Sequence, residues 1–291
     1  MPAAKLALCK PAKLNLAFLL CLLAGVVGTA LGQTSAQPAP VSTPTPANIR
    51  ARVTEHAVDG NTPDDAAVDK MLQVYSPKVR ALDQVIGKLE GDLKKASPGA
   101  GSLGNFVTDG IRSRASLKIG RPVDLAVTNN GGLRKGMIAE GDLRTRDIFE
   151  LLPFENALVE FDMTGAQVLD LLRVALEKGD AQSGARVIYR TIADRKLEFV
   201  SATLLVNGQP KAIDPAANYK VISIDYLLRV KGDYAMLQQA AASKPLGLTI
   251  RDVMIDYVKA ETAAGRSIKS TVDGRFQPAQ PATASQEVRA Q

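Results

Sequence analysis

Apolar residues recur at intervals of three and four after Asp64 and Asp65, a pattern typical of an amphipathic helix with an acidic start. Pro77 falls inside this stretch, so a kink or a break is expected there. A second helix is predicted after the Gly-rich segment 98–104. The apolar positions of the two helices are Val68, Met71, Leu72, Val74, Tyr75, Val79, Leu82 and Val85 in the first, and Phe106, Val107 and Ile111 in the second.

Short apolar, β-branched runs further along the chain predict strands. Thr164 is placed to cap a helix that continues through 167–176, and 248–260 reads as a closing helix. Strands and helices mix without strict βαβ alternation, which indicates an α/β (mixed α+β) fold, and no repeat or internal Pro-rich break divides it. The predicted strands are 123–128, 158–163, 186–191, 197–206 and 218–224.

The N-terminus has the pattern of a secretory signal peptide: three lysines without an acid, an apolar run from Leu14 to Val27, and then small residues. We expect cleavage near residue 32 and an exported protein, periplasmic or extracellular. A retained membrane anchor is the alternative, although the apolar run is a little short to span a bilayer. Neither Cys9 nor Cys21 follows a small residue, which argues against a lipoprotein.

Two segments flank the predicted domain. Residues 33–47 are rich in Pro, Ser and Thr and predict an extended linker, and residues 277–291 have the same character and predict a disordered tail. The expected organisation is therefore a signal peptide at 1–32, a linker at 33–47, one domain at 48–276 and a tail at 277–291.

Charge and composition exclude several functions once the signal peptide is set aside. The net charge falls from +6 to +3, because three of the 36 basic residues and none of the 30 acidic ones lie in 1–32. Nucleic acid is therefore not an expected partner. Both cysteines also lie in this segment, and a single His remains, so a His-rich two-metal site or a Cys/His zinc site cannot be built.

Three weaker signals have simpler explanations than chemistry. Residues 99–104 match GxGxxG, but the preceding residues look like a helix end and a turn rather than a strand, so a flexible loop between helices is predicted. His56 reads as a surface residue. Asp64, Asp65 and Asp142 fit capping and turn roles better than metal ligation.

A longer constellation carries more information, and its pieces keep a fixed order along the chain. They are Leu103-Gly104-Asn105, the run from Val127 to Arg134 (VTNNGGLR), Leu152-Pro153-Phe154-Glu155-Asn156, Thr164-Gly165, Ser183-Gly184, Ile224-Asp225-Tyr226 and Gly232-Asp233-Tyr234. In this order they resemble the C-terminal, substrate-recognition domain of the 5′-nucleotidase / UDP-sugar hydrolase family, over about Asp64 to Phe276. The resemblance implies that family's layered α/β/β/α fold.

The residues suit a nucleotide pocket: a Gly-rich turn lets backbone N–H groups approach a ligand, and arginine binds phosphate in bidentate fashion. An ordinary β-turn with a solvated Arg, and aromatic residues that are simply core, are the alternatives. What the resemblance implies is one role for each matched position. In the loop that contains Gly131 and Gly132, Asn129 would contact the ribose or base side of the ligand and Arg134 its phosphate. Phe154 and Tyr226 would stack on the two faces of the base, and Asn156 would hydrogen-bond its edge. The remaining roles are hydrogen bonds from the ribose hydroxyls to Asp233, close passage of the sugar at Gly184, and further phosphate contacts from Arg112 and Arg114.

The sequence departs from the family pattern at three places. Asn130 replaces the first Gly of the loop, Glu155 brings a negative charge near the base position, and Lys231-Gly232-Asp233-Tyr234 has lost one Gly. Family members hydrolyse phosphate esters in a separate N-terminal two-metal domain, which this chain has neither room nor histidines to build. No cofactor is therefore expected in this chain, and divalent metals are expected only in a partner metallophosphoesterase. The expected function is nucleotide recognition that contributes to hydrolysis only with a separately encoded metallophosphoesterase, so the chain alone is expected to have no 5′-nucleotidase activity. The alternatives are a free-standing nucleotide- or nucleoside-binding protein and a scaffold that has lost its ligand.

Overall fold

The structure, a computed structural model, describes residues 50–230 and 232–280. The predicted signal peptide, the linker and the part of the tail beyond residue 280 lie outside the described residues, as does Lys231. Within the described part of the chain, no helix is long and apolar enough to cross a membrane.

Helices and strands follow one another without regular alternation, which confirms the mixed α/β class. The helices are α1 (Ala66–Ala81), α2 (Gly101–Ile119), α3 (Thr145–Leu151), α4 (Gly165–Lys178), α5 (Asp225–Arg229), α6 (Ala235–Gln238) and α7 (Ile250–Ala263). The strands are β1 (Val85–Glu90), β2 (Leu93–Lys94), β3 (Leu125–Thr128), β4 (Met137–Ile138), β5 (Gly141–Arg144), β6 (Ala157–Thr164), β7 (Ala181–Ser183), β8 (Ala185–Thr191), β9 (Leu197–Val206), β10 (Gln209–Ala212), β11 (Asn218–Ile224), β12 (Ala242–Thr249), β13 (Ile268–Lys269) and β14 (Phe276–Pro278).

A five-stranded sheet in the order β12-β6-β11-β3-β7 forms the centre of the domain. β11 runs parallel to β3 and antiparallel to β6, with Val221 opposite both Leu125 and Phe161. All four residues of β3 are buried, which means that both faces of the sheet are covered there. β3 therefore ends in a rigid position, and the loop after it starts from a fixed point.

The predicted helix α4 begins at a capping box. The Thr164 hydroxyl accepts a hydrogen bond from the Gln167 amide at 3.3 Å, and the Gln167 side chain accepts from the Thr164 amide at 2.9 Å. α4 packs against β6 of the central sheet and β9 of the second sheet, whose order is β10-β9-β8-β14. The five strand predictions and the closing helix are confirmed, with small shifts at their ends.

The first part of the domain differs from the sequence interpretation. α1 begins at the predicted cap, Asp65, and runs through Pro77 without a break, but it ends at Ala81. Val85 starts β1, whose buried and exposed residues partly alternate as in a half-buried strand. Strands β1 and β2 therefore precede the GxGxxG segment, and the expected loop between two helices is wrong: the segment leads from a strand into α2.

The C-terminal boundary also moves. Gln277 and Pro278 belong to β14, which runs parallel to β8 with Gln277 opposite Ile188, so the tail cannot begin at 277. Backbone pairing overrides the low-complexity composition of this segment. At the other end the compact unit starts at Pro63, and residues 50–62 are exposed and form no helix or strand.

Candidate functional site

The loop after β3 is a short 3₁₀ turn, Asn130–Gly132, introduced by Asn129 in an extended conformation. None of the three turn residues has a positive φ, so Asn in place of the first Gly causes no backbone strain. At Gly132 a Cβ atom would lie 2.9 Å from the Asn129 side-chain oxygen, so a larger residue there would displace the Asn129 side chain. The Gly-rich turn at the end of a buried strand is as the sequence predicts.

Three contacts fix this turn, and two of them come from residues that sequence reasoning missed. The Asn130 amide donates to the Asp180 carboxylate at 2.7 Å. The Lys95 ammonium donates to the carbonyl oxygens of Asn130 and Leu133 at 2.9 and 2.8 Å. The Arg134 amide donates to the Leu151 carbonyl at 2.8 Å, which joins the turn to the end of α3. The turn is therefore held from three sides.

Asp180 is buried and shared between two donors. Besides the Asn130 amide, it accepts a hydrogen bond from the Tyr234 hydroxyl. Burial raises the pKa of Asp180, and the two hydrogen bonds oppose that rise without cancelling it. Burial and the neighbouring carboxylate also raise the pKa of Tyr234. Tyr234 therefore stays protonated and links α6 to the loop after β3.

The segment that carries Phe154 is held by Arg251 of α7. The Arg251 guanidinium donates to the carbonyl oxygens of Leu152 and Pro153 at 3.0 and 2.7 Å. Glu155 is 82% exposed in its side chain and lies 3.7 Å from the same guanidinium. The negative charge that Glu155 introduces therefore faces a positive one, and its side chain points toward solvent.

Tyr226 lies in the first turn of α5, and its neighbour Asp225 joins this helix to the aromatic segment. The Asp225 carboxylate accepts from the Ala157 amide at 3.1 Å and forms an ion pair with Arg229 at 2.9 Å. Ala157 follows Phe154 by three positions, so this hydrogen bond joins the backbone segments that carry Phe154 and Tyr226.

Seven of the eleven predicted site residues line one cavity of about 390 Å³, a volume in the range of small-molecule sites. Phe154 and Tyr226 are 50% and 46% exposed, so the alternative that they are simply core residues is wrong. The Arg134 guanidinium lies 6.0 Å from the centre of the Phe154 ring and donates to the Gly131 carbonyl at 3.2 Å. The cavity is lined by Asn129, Gly131, Gly132, Arg134, Phe154, Asn156 and Tyr226.

The cavity is lined by the cationic side chain of Arg134 and by Asn129, whose side-chain oxygen is buried. Burial, and then the positive charge of Arg134, lower the pKa of Lys95, whose ammonium group holds the turn that precedes Arg134. The Asn129 side-chain oxygen is buried and receives no hydrogen bond from any described residue. The site thus offers two aromatic faces, an acceptor that lacks a donor and a guanidinium, which together suit an aromatic, hydroxylated anion.

The other four predicted residues lie elsewhere. Gly184 is buried, and a Cβ atom there would come closer than 3.0 Å to the Asp124 carbonyl oxygen. Arg112 donates to the Val123 carbonyl at 2.9 Å, and burial lowers its pKa. Asp233 is exposed and forms an ion pair with Lys178 at 2.5 Å. Arg114 is on α2 with Arg112 and does not line the cavity.

A larger cavity of about 850 Å³ lies beside α4 and β9 and is lined in part by Asn130, which does not line the first cavity. It too has an arginine near an aromatic ring, with the Arg173 guanidinium 5.2 Å from the centre of Phe199. Its wall mixes acidic and basic side chains, including Glu177 and Glu198. Within the described part of the chain, the smaller cavity is lined by two aromatic rings, two Asn side chains and an arginine but by no carboxylate, which suits an aromatic anion better than this mixed wall does. The larger cavity provides a control site for the mutations below.

Across 50–230 and 232–280, no three or more His, Cys, Asp or Glu residues are grouped so as to hold a metal ion. Asp65 accepts from the amides of Ala67 and Val68 at 2.8 and 3.1 Å, which is the predicted capping role. Asp142 forms an ion pair with Arg144 at 3.4 Å, and His56 is exposed.

Comparison with known proteins shows the family to which the chain is related. A family model described as "5'-nucleotidase, C-terminal domain" matches residues 85–239, more than half of the chain. Protein UshA of Escherichia coli is 25% identical over 74% of this chain and 39% of its own length. A 5′-nucleotidase of Vibrio vulnificus is 30% identical over 57% and 30%. The trifunctional nucleotide phosphoesterase YfkN of Bacillus subtilis is 25% identical over 65% and 13%.

Solved structures agree on the fold. The 5′-nucleotidase precursor of Thermus thermophilus superposes with a TM-score of 0.62 at 22% identity, over 74% of this chain and 43% of that one. The NAD nucleotidase of Haemophilus influenzae gives 0.52 at 23%, over 74% and 42%. The chain spans less than half the length of each of these relatives. On the extent of the family match and the shared fold, the chain belongs to the 5′-nucleotidase C-terminal domain family.

Proposed function

We propose that this chain is an exported module that recognises nucleotides or nucleosides in the 390 Å³ cavity. The observation that carries the proposal is the convergence of two half-exposed aromatic rings, Phe154 and Tyr226, with the Arg134 guanidinium on one cavity. Export is supported by the N-terminal pattern and by a relative from Listeria monocytogenes named as a cell wall protein, 28% identical over 60% of this chain.

In this proposal each lining residue has one role. Phe154 and Tyr226 stack on the base, Asn156 hydrogen-bonds its edge, and Arg134 binds the phosphate. The Asn129 side chain, which lines the cavity, hydrogen-bonds the ribose. Asp233 forms an ion pair with Lys178 and does not line the cavity, and the contacts of Gly184 and Arg112 give those residues structural roles instead.

Replacing Phe154 with alanine tests the base contact. We expect Phe154→Ala to weaken adenosine binding about 5- to 150-fold, because stacking on a base is worth about 1–3 kcal/mol. The measurement is calorimetric titration of the whole protein with adenosine in EDTA. Phe199→Ala is the matched control, since it removes the other ring near an arginine and lies in the larger cavity. A loss in Phe199→Ala and none in Phe154→Ala would move the site to the larger cavity.

Replacing Arg134 separates phosphate from nucleoside recognition. Arg134→Ala should weaken AMP binding about 10- to 150-fold, since hydrogen bonds to a charged group contribute about 1.5–3 kcal/mol. Adenosine lacks the phosphate, so its affinity should change little. The test is the ratio of the two dissociation constants in the parent and the variant. An unchanged ratio would show that Arg134 does not bind phosphate.

We further propose that the module contributes to nucleotide hydrolysis only together with a separately encoded metallophosphoesterase. The chain spans 13–39% of the curated relatives compared above, and its described residues offer no metal-binding cluster. The 291-residue chain alone should therefore release no phosphate from AMP, with or without added Mn²⁺. The assay is phosphate release, with a complete 5′-nucleotidase as the positive control. Turnover that rises with the concentration of the pure chain would contradict this proposal.

A further inference from the structure

Helix α1 (Ala66–Ala81) carries an apolar stripe that nothing in the described part of the chain covers. None of its sixteen residues is buried. Val68, Leu72, Tyr75 and Val79 are large, apolar and all close to half exposed or more. An isolated helix of this length is marginally stable in water, so a stable α1 needs a partner for its apolar stripe.

The spacing of these four residues indicates what kind of partner fits. They follow one another at intervals of four, three and four positions, the spacing of the apolar seam in a two-stranded coiled coil. If two copies of α1 lie antiparallel about the midpoint between Gln73 and Val74, Val68 of each copy lies beside Val79 of the other. In the same register Leu72 lies beside Tyr75. A single register thus pairs every residue of the stripe with an apolar one.

The charges of α1 favour the antiparallel arrangement. Its start is acidic, with Asp64 and Asp65 before the helix and Asp69 in the first turn, and its last turn carries Lys78 and Arg80. An antiparallel pair brings the acidic start of one helix near the basic end of the other. A parallel pair would bring the acidic starts together, and like charges in proximity oppose association.

We propose that the apolar stripe of α1 is an interface between two copies of this chain, formed by antiparallel α1 helices related by a two-fold axis. Two short helices bury less surface than a standard stable interface, so the association depends on protein concentration. The proposal is independent of nucleotide binding, because α1 contributes no residue to the candidate cavity.

Sedimentation of the whole protein over a series of rising concentrations tests the association. We expect the average mass to rise from that of one copy toward that of two. Leu72→Glu should abolish the rise, because it places a carboxylate on the stripe. Val74→Glu is the matched control: Val74 is 70% exposed, and at about 100° per residue it lies on the opposite side of the helix, so this variant should still associate. A parent protein that stays single at every concentration, or equal behaviour of the two variants, would overturn the proposal.

Cross-linking distinguishes the orientation. The double variant Val68→Cys/Val79→Cys should form a covalent dimer under mild oxidation, whereas each single variant should not, because in the antiparallel register neither position meets itself. The parent protein is the control for its own Cys9 and Cys21. A dimer formed by Val68→Cys alone would indicate a parallel pair and contradict the proposal. No cross-link in the double variant would contradict it as well.

Discussion

Replacing Gly184 with alanine is expected to destabilise the protein by about 4 kcal/mol or more, in the range of the most damaging single substitutions. Gly184 has a φ of 116°, which L side chains rarely adopt, and a Cβ atom would press into the Asp124 carbonyl. That carbonyl cannot move freely, because two hydrogen bonds hold Asp124 to Lys220. The Asp124 amide donates to the Lys220 carbonyl at 2.9 Å, and the Lys220 amide donates to the Asp124 carboxylate at 2.7 Å. The measurement is chemical unfolding in urea.

Gly120→Ala separates conformational strain from the clash. Gly120 also has a positive φ, 72°, but a Cβ atom there meets nothing within 4 Å. Its cost should be about 1–2 kcal/mol, the cost of a left-handed backbone alone. If Gly184→Ala costs no more than Gly120→Ala, the close approach to Asp124 is not the reason for a glycine at position 184.

Replacing Arg275 with methionine should cost about 3 kcal/mol, the lower end of the range for breaking a buried ion pair. Arg275 is 7% exposed and donates to the carboxylates of Asp109 and Asp273 at 2.7–3.0 Å, and to the Gln182 carbonyl at 2.9 Å. Methionine fills similar space but removes every hydrogen bond that the guanidinium donates, and Asp273 keeps the one from the backbone amide of residue 275. Solvent reaches both carboxylates and reduces the cost. Urea unfolding near neutral pH gives the value.

The pH dependence of this variant provides an independent check. Burial alone raises the pKa of Asp273, but the hydrogen bonds and charge of Arg275 outweigh it and hold the pKa below its usual 3.8. A lowered folded-state pKa stabilises the fold above 3.8, and this stabilisation is lost as the pH falls through the folded-state value. The difference between parent and Arg275→Met should therefore be largest near neutral pH and shrink in acid. Arg266→Met, which removes an exposed ion pair with Glu261, is the control and should change little.

The central elements of the fold were predictable because local pattern and tertiary environment agree. Thr164 and Gln167 form the capping box that their spacing predicts, and β11 was predicted with its correct ends. β12 was missed because it contains Pro245 and Gly247, which local propensity excludes from strands. It is nevertheless a strand, because it lies at the edge of the sheet next to β6. Proline, which has no amide hydrogen to donate, is tolerated in edge strands.

For the candidate site, the sequence predicted the residues that line the cavity but not the residues that hold its loops in place. The motif order indicated the seven residues of the cavity, but sequence alone could not tell exposed aromatic residues from core ones. Lys95, Asp180 and Arg251 were missed because each acts on backbone atoms of segments 35, 50 and 99 positions away along the chain. Such contacts leave no local pattern. For the same reason the sequence did not reveal why residue 184 is a glycine. The carbonyl that leaves no room for a Cβ atom there belongs to Asp124, which is far away in sequence.

The pairing of the first strand with one of the last has a consequence for the time at which the protein can fold. Leu89 of β1 pairs with Ile268 of β13, and the Phe154 segment is held by Arg251. At about 5–20 residues per second, a ribosome needs on the order of ten to forty seconds to make the chain between these two strands. A nascent chain therefore lacks the pairing of β1 with β13 until residue 268 has been made, and its aromatic segment lacks support until residue 251 has been made. The candidate binding surface is not fully supported before α7 exists.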